Sequence, residues 1–191
     1  MLLPHESERR VPVSLPFHAP AQPPPGDPSS NGPRLGARVL LLDPDDRLLL
    51  MHAHDPAEPG RRWWELPGGG LQPGETTAQA CRRELAEETG IELDEVGPCV
   101  WVRETRFRFR GRHYHRREWV HLARLPQPAP AARAPLSRTP NEQLTLLGER
   151  WWSPQALAEA TDQRFLPPNL PTLLPDILAG RYGDTPIELD Q

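Results

Sequence analysis

Glu84, Glu87 and Glu88 stand in one short run directly after Arg83, and their types and spacing could do chemistry. On a helix advancing 100° per residue, the three carboxylates fall within an arc of about 100°. Like charges packed so closely repel, and each tends to hold a proton unless something positive sits among them. A divalent cation meets that need. Carboxylate oxygens without accompanying His or Cys suit the hard ions Mg²⁺ or Mn²⁺ rather than Zn²⁺. Arg83 lies one turn before Glu87 and can fix its direction with a planar guanidinium. The alternative for a run of this composition is an ordinary solvated helix face.

The flanking residues supply the element that would hold these groups. Thr76 is a good N-cap, Gln79 completes a capping box, and Gly90 sits where a helix stops, so a helix is expected from about Thr77 to Thr89. Ala78, Cys81 and Leu85 form its apolar stripe, with the glutamates along the edge of that buried face. Before it, Gly68-Gly69-Gly70 lets the backbone pass close to the helix and aim a carbonyl at a metal.

Gly69, Glu75, Arg83, Glu84, Leu85, Glu87, Glu88, Gly90 and Ile91 fall at the spacing G-x5-E-x7-R-E-U-x-E-E-x-G-U, where U is aliphatic. Nine matched positions at fixed spacing resemble the signature of the Nudix hydrolases and set the solvated-face reading aside. The resemblance extends, by element order, over about residues 37 to 180. It implies an α/β fold in which a mixed sheet is sandwiched between helices. It further implies Glu84, Glu87, Glu88 and the Gly68 carbonyl as metal ligands, Arg83 as orienting residue and Glu75 as a structural or outer carboxylate. Gly69 and Gly90 would be structural in the box. In relatives the proton of the attacking water goes to a glutamate of the box helix or to one on a distant loop. Glu142 is the loop candidate here, and Glu118 a second one.

Along the rest of the chain, residues 1–34 contain nine prolines and read as a disordered tail that cannot bury enough surface to fold alone. Val39–Leu42 and Leu48–Met51 read as a hairpin of two buried strands around Asp43-Pro44-Asp45-Asp46. Residues 52–62 read as a loop; its His52, His54 and Asp55 could suggest a metal site, but loop histidines are more often plain surface. Trp63–Leu66 would be a short strand. Val100–Arg110 and Arg112–Leu125 read as two long strands meeting near Gly111. Arg106, Arg108 and Arg110 alternate with Phe107 and Phe109 and so share a face, either a guanidinium-lined groove for substrate phosphates or a solvated strand. A Pro-rich loop is expected at 126–140. Beyond it come a strand running into a helix capped by Ser153 with Pro154 first, a last helix over Thr172–Ala179, and a short tail at 184–191.

One domain spanning 35–183 accommodates this order. The net charge of -4 gives no global reason to expect nucleic acid or an anionic membrane as partner. All 22 basic residues are Arg, a bias of composition rather than of chemistry. Cys81 and Cys99 are too few for a disulfide framework and are expected reduced and buried. Glu6, Glu8, Arg9 and Arg10 interrupt any leader-like apolar run, and cytoplasm is the expected location.

The reaction implied by the resemblance is Mg²⁺- or Mn²⁺-dependent hydrolysis of the pyrophosphate bond in a nucleoside diphosphate linked to a further moiety. Arg106 and Arg108 would grip its phosphates, while Trp64 and Phe107, with Trp63, Trp119 and Tyr114, could stack a base. Motifs that mark the coenzyme A, NADH, ADP-ribose and dinucleoside polyphosphate hydrolases are absent. Two other readings compete: a nucleotide-sensing module without turnover, against which the intact carboxylates count, and an isoprenoid diphosphate isomerase, against which the lack of an evident catalytic Cys counts. Homodimers are common among such proteins.

Overall fold

The run Val39–Leu42 is apolar at every position because both sides of its strand are covered. β1 (Arg34–Leu42) is the central strand of a nine-stranded mixed sheet in a computed structural model that describes residues 32–128 and 138–189. Its alternate residues serve two cores. Ala37, Val39 and Leu41 pack under α1 (Thr77–Thr89) with Ala80, Cys81 and Leu85. Leu40 and Leu42 point the other way, into a larger cluster with Leu157 of α3 (Pro154–Glu159) and Leu170, Leu174 and Ile177 of α4 (Leu170–Leu178). The sheet is therefore sandwiched between helices, as expected. Of the expected α1 stripe, Cys81 and Leu85 are buried and Ala78 only partly so, and Ala80, outside that stripe, is buried in its stead.

Several expected elements change. β2 (Leu48–Asp55) and β3 (Glu58–Glu65) run through most of the expected 52–62 loop, joined by a tight turn in which the buried Asp55 accepts the Ala57 N–H at 2.9 Å. β1 and β2 pair only at Leu42↔Leu48. β1 instead pairs parallel with β6 (Arg112–Arg124) from Arg34↔Arg116 to Leu42↔Arg124, and antiparallel with the glycines of β4 (Gly68–Gly70). β5 (Cys99–Phe109) and β6 form the expected long hairpin about Gly111.

Pro140–Thr145 is a short helix, α2, and leads into β7 (Leu146–Trp152), which pairs with β2. β8 (Phe165–Leu166) adds in parallel to β3. Part of the expected C-terminal tail is also built in, because β9 (Ile187–Leu189) pairs in parallel with the edge of β5 and buries Leu189. Most of the expected N-terminal tail, residues 1–31, and residues 129–137 of the expected Pro-rich loop lie outside the described residues. Both cysteines are free and buried, and burial pushes the Cys99 thiol up to about 11. Among the described residues no helix is long and apolar enough to cross a membrane.

Candidate active site

α1 is held at both ends by its own sequence. Thr76 Oγ1 accepts the Gln79 N–H at 3.1 Å, and Gln79 Oε1 accepts the Thr76 N–H at 2.9 Å. Gly90, at φ 73°, takes the left-handed conformation of a helix C-cap and donates to the Ala86 carbonyl at 2.9 Å. Glu84 and Glu88, one turn apart, are thereby fixed on the side facing β4, at 6% and 5% exposure.

β4 makes room for them. A side chain at Gly69 would lie 2.6 Å from the Glu84 carboxyl carbon, so glycine there lets the strand close over that carboxylate. Gly68, whose carbonyl was expected to face a metal, meets the cluster through its N–H, which donates to Glu88 Oε2 at 2.9 Å. Glu142 arrives from α2. Carboxylate oxygens of Glu84, Glu88 and Glu142 all lie within 4.8 Å of one another.

Glu87 stands outside this trio because the helix turns it toward Arg83, whose Nη1 donates to it at 3.2 Å. Arg83 ties the whole box together. Nε and Nη2 bind both oxygens of Glu75, at 2.8 and 2.9 Å, while Nη1 reaches Glu84 at 2.7 Å and Nη2 the Gly70 carbonyl at 2.9 Å. Glu75 thus orients the arginine that orients Glu84, an arrangement only a planar, multidentate donor supports.

The electrostatics leave the trio short of positive charge. Burial pushes the Glu84 carboxyl above its ordinary range; the Arg83 hydrogen bond pulls it back, and Glu142 and Glu87 push it up again. Burial pushes Glu88 well above the ordinary value, and the pull of Arg38 and the Gly68 N–H does not offset it. Three oxygen donors from carboxylates, two of them strained toward protonation, fit a hard divalent cation such as Mg²⁺ or Mn²⁺.

The trio borders a cavity of about 370 Å³ between β3, the β5–β6 hairpin and α2. The hairpin turns one face into it. Thr105↔Arg116 and Phe107↔Tyr114 are cross-strand pairs on the side of Arg103 and Glu118. The Phe107 and Tyr114 rings stack at 5.5 Å, and the Arg116 guanidinium lies over both, 5.4 and 5.9 Å from their centroids. Arg106 and Arg108 belong to the opposite face. Both border the cavity, but Arg106 is exposed and its ion-pair partner is Glu104 at 3.6 Å.

Of the tryptophan pair, Trp63 lines the cavity, edge-on to Phe109 at 6.2 Å. Trp64 points away, stacked on His52 at 4.4 Å and donating to Gln163 at 2.9 Å. Glu118 is no free base: it is buried between Arg38 and Arg103 at 2.8 and 2.6 Å. His54 Nε2 lies 2.9 Å from the Leu144 carbonyl, its ring nitrogen spent on α2 rather than on a metal. Arg116, Arg103 and Trp63 were legible in principle from the strand alternation about Gly111 and along Trp63-Trp64. The α2 start was legible in Thr139-Pro140-Asn141-Glu142, a capping-box spacing with Pro at the first helical position.

A mixed sheet between helices, with a glycine strand closing over glutamates of a capped helix, defines an α/β protein built to present carboxylates at a cavity. Residues 32–173 match the NUDIX domain family, and the chain belongs to it. Over 58 residues, 30% of this chain and 33% of the other, it is 45% identical to an RNA pyrophosphohydrolase of Caulobacter vibrioides. Over 65 residues, 34% of each chain, it is 38% identical to an RNA pyrophosphohydrolase of Legionella pneumophila. The matched stretches thus span about a third of those relatives' length. Among solved structures, the MutT protein from Methanosarcina mazei Go1 shares the fold, with a TM-score of 0.54 at 17% identity over 80% of this chain and 99% of that one.

Proposed function

We propose that this chain hydrolyses the pyrophosphate bond of a nucleoside diphosphate linked to a further moiety, with Mg²⁺ or Mn²⁺ held by Glu84, Glu88 and Glu142. The observation that carries this reading is the carboxylate trio itself, gathered within 4.8 Å with Glu84 and Glu88 buried. A cation bound there would offset the charge of the substrate phosphate oxygens and of the attacking water. Arg83 keeps Glu84 and Glu87 aimed while that charge changes. Glu142, the least buried of the three, would take the proton of the water that attacks phosphorus. The Arg116 side chain makes no hydrogen bond among the described residues, its nearest carboxylate being Glu118 at 3.9 Å, and it faces the cavity over two aromatic rings, which suits a phosphate oxygen. Phe107, Tyr114 and Trp63 offer faces on which a base can stack.

Two relatives are named RNA pyrophosphohydrolase, so a 5′-triphosphorylated RNA end belongs among the substrates to be tried, beside the small nucleotides. The isomerase reading loses ground, since Cys81 is buried with its thiol donating to the Arg38 carbonyl at 3.1 Å. The test is product release with Mg²⁺ or Mn²⁺ across nucleoside triphosphates, ADP-ribose, nucleotide sugars, dinucleoside polyphosphates and 5′-triphosphorylated RNA. Metal-dependent cleavage in at least one arm is expected. Nucleotide binding without cleavage in any arm would make the protein a sensing module instead.

A further inference from the structure

The segment that carries Glu142 has little apolar anchorage. α2 is six residues long with Thr145 as its buried residue, and Leu144 and the adjacent Leu147 are 58% and 47% exposed. A helix this short does not persist on its own. It is seated by polar ties to three other elements. Arg110 Nη1 donates to Asn141 Oδ1 at 2.6 Å, His54 Nε2 meets the Leu144 carbonyl, and Arg138 Nε and Nη2 both donate to the Glu88 carbonyl, at 3.0 and 2.7 Å.

The Arg138 tie differs from the others because it ends on a residue whose side chain is part of the carboxylate trio. The last carbonyls of α1 have no partner within the helix, and its last turn holds no basic residue. Arg138, with its side chain 14% exposed and Glu149 3.7 Å from the same Nη2 that reaches Glu88, supplies both the donors and the positive charge that this helix end lacks. The next residues form a bracket: Thr139 is the N-cap of α2, and its N–H donates to Glu142 Oε2 at 2.8 Å. One end of the bracket therefore grips the backbone of Glu88, and the other delivers a carboxylate beside the Glu88 side chain.

We propose that Arg138 is a positioning residue: by clamping the Glu88 carbonyl it seats Glu142 against Glu84 and Glu88, so that the three-carboxylate site is complete only while residues 138–145 are docked. The kinetic part of the test rests on the hydrolase reading, whereas metal uptake and hydrogen exchange do not. Full-length wild type, Arg138→Ala, Arg138→Lys, Glu142→Gln and the double variant Arg138→Ala/Glu142→Gln would be compared. The readouts are Mn²⁺ binding, amide exchange, and kcat and KM on whichever substrate the panel identifies.

Arg138→Ala is expected to weaken Mn²⁺ binding and to lower kcat by about tenfold or more, with KM little changed. Exchange over residues 141–146 should accelerate, while α1 does not follow except at its last turn, which loses the Arg138 donors. Arg138→Lys should recover part of the loss, since a single ammonium can reach the carbonyl but cannot fork onto it. The double variant should be no worse than Glu142→Gln alone. Unchanged Mn²⁺ affinity and kcat in Arg138→Ala, additive losses in the double variant, or equal acceleration of exchange through α1 would each overturn the clamp. A wild type that binds Mn²⁺ but cleaves nothing in the panel would count against the hydrolase reading, with the metal and exchange data still deciding the clamp.

Discussion

Glu118 on β6 and Glu88 on α1 are buried to nearly the same depth, at 1% and 5% exposure, yet their surroundings differ. Glu118 has Arg38 and Arg103 in direct contact and Arg116 at 3.9 Å. These guanidiniums outweigh the effect of burial and hold its carboxyl well below the ordinary range. Glu88 accepts one backbone N–H, feels Arg38 only at a distance since that guanidinium pairs with Glu118 and Glu65, and has two carboxylate neighbours, so burial holds it well above that range. Buried charge that is fully matched inside the chain serves the fold. Buried charge left unmatched beside a cavity marks a candidate functional site, here the one proposed to hold a cation.

The sharpest way to break this contrast is Glu88→Gln, which deletes the charge at nearly constant volume. Turnover on the accepted substrate should fall by orders of magnitude, while the melting temperature in metal-free buffer stays level or rises. A normal rate would remove Glu88 from the site.

Glu118→Gln should do the reverse, costing about 3–5 kcal/mol in urea unfolding because Arg38 and Arg103 lose their shared partner in the interior. The pH dependence carries the same sign. Glu118 is depressed in the folded state relative to its ordinary 4.5, so its contribution is present above about 4.5 and fades as pH falls through its lower folded value. The variant should therefore show a flatter loss of stability in acid than the wild type; an unchanged acid slope would mean that Glu118 is not the group responsible.

The smallest effect is metal stabilisation. Mg²⁺ or Mn²⁺ at a hundred times its dissociation constant should add about 2.7 kcal/mol to the wild type. It should add little to Glu88→Gln and the full amount, over a lower baseline, to Glu118→Gln. Equal stabilisation of all three would place the cation elsewhere.

The contrast also explains what could be read without coordinates. α1 was legible to the residue because its caps, its glutamates and Gly90 are local signals. The central strand was legible in Val39–Leu42, since only a strand covered on both sides tolerates so unbroken an apolar run. The arginine-rich hairpin is legible, but which of its faces meets the site depends on the elements packed beside it, so the alternation that points to Arg106 and Arg108 does not reveal that Arg103 and Arg116 border the same cavity. For the same reason the sequence does not tell which of Trp63 and Trp64 lines the cavity, where Trp63 stands. α2 was hidden in a Pro-rich composition whose Pro140 starts a helix instead of preventing one. β9 escaped because three residues far along the chain carry too short a pattern to announce their partner on β5.

Because β1 sends odd-numbered residues to one side and even-numbered ones to the other, Arg38 and Val39 are the points at which threading is checked. A slip of one position would thrust a guanidinium among Cys81 and Leu85 and leave Glu118 facing a valine. Both errors are severe, so a misaligned chain is rejected by charge even where its greasy residues would be nearly interchangeable.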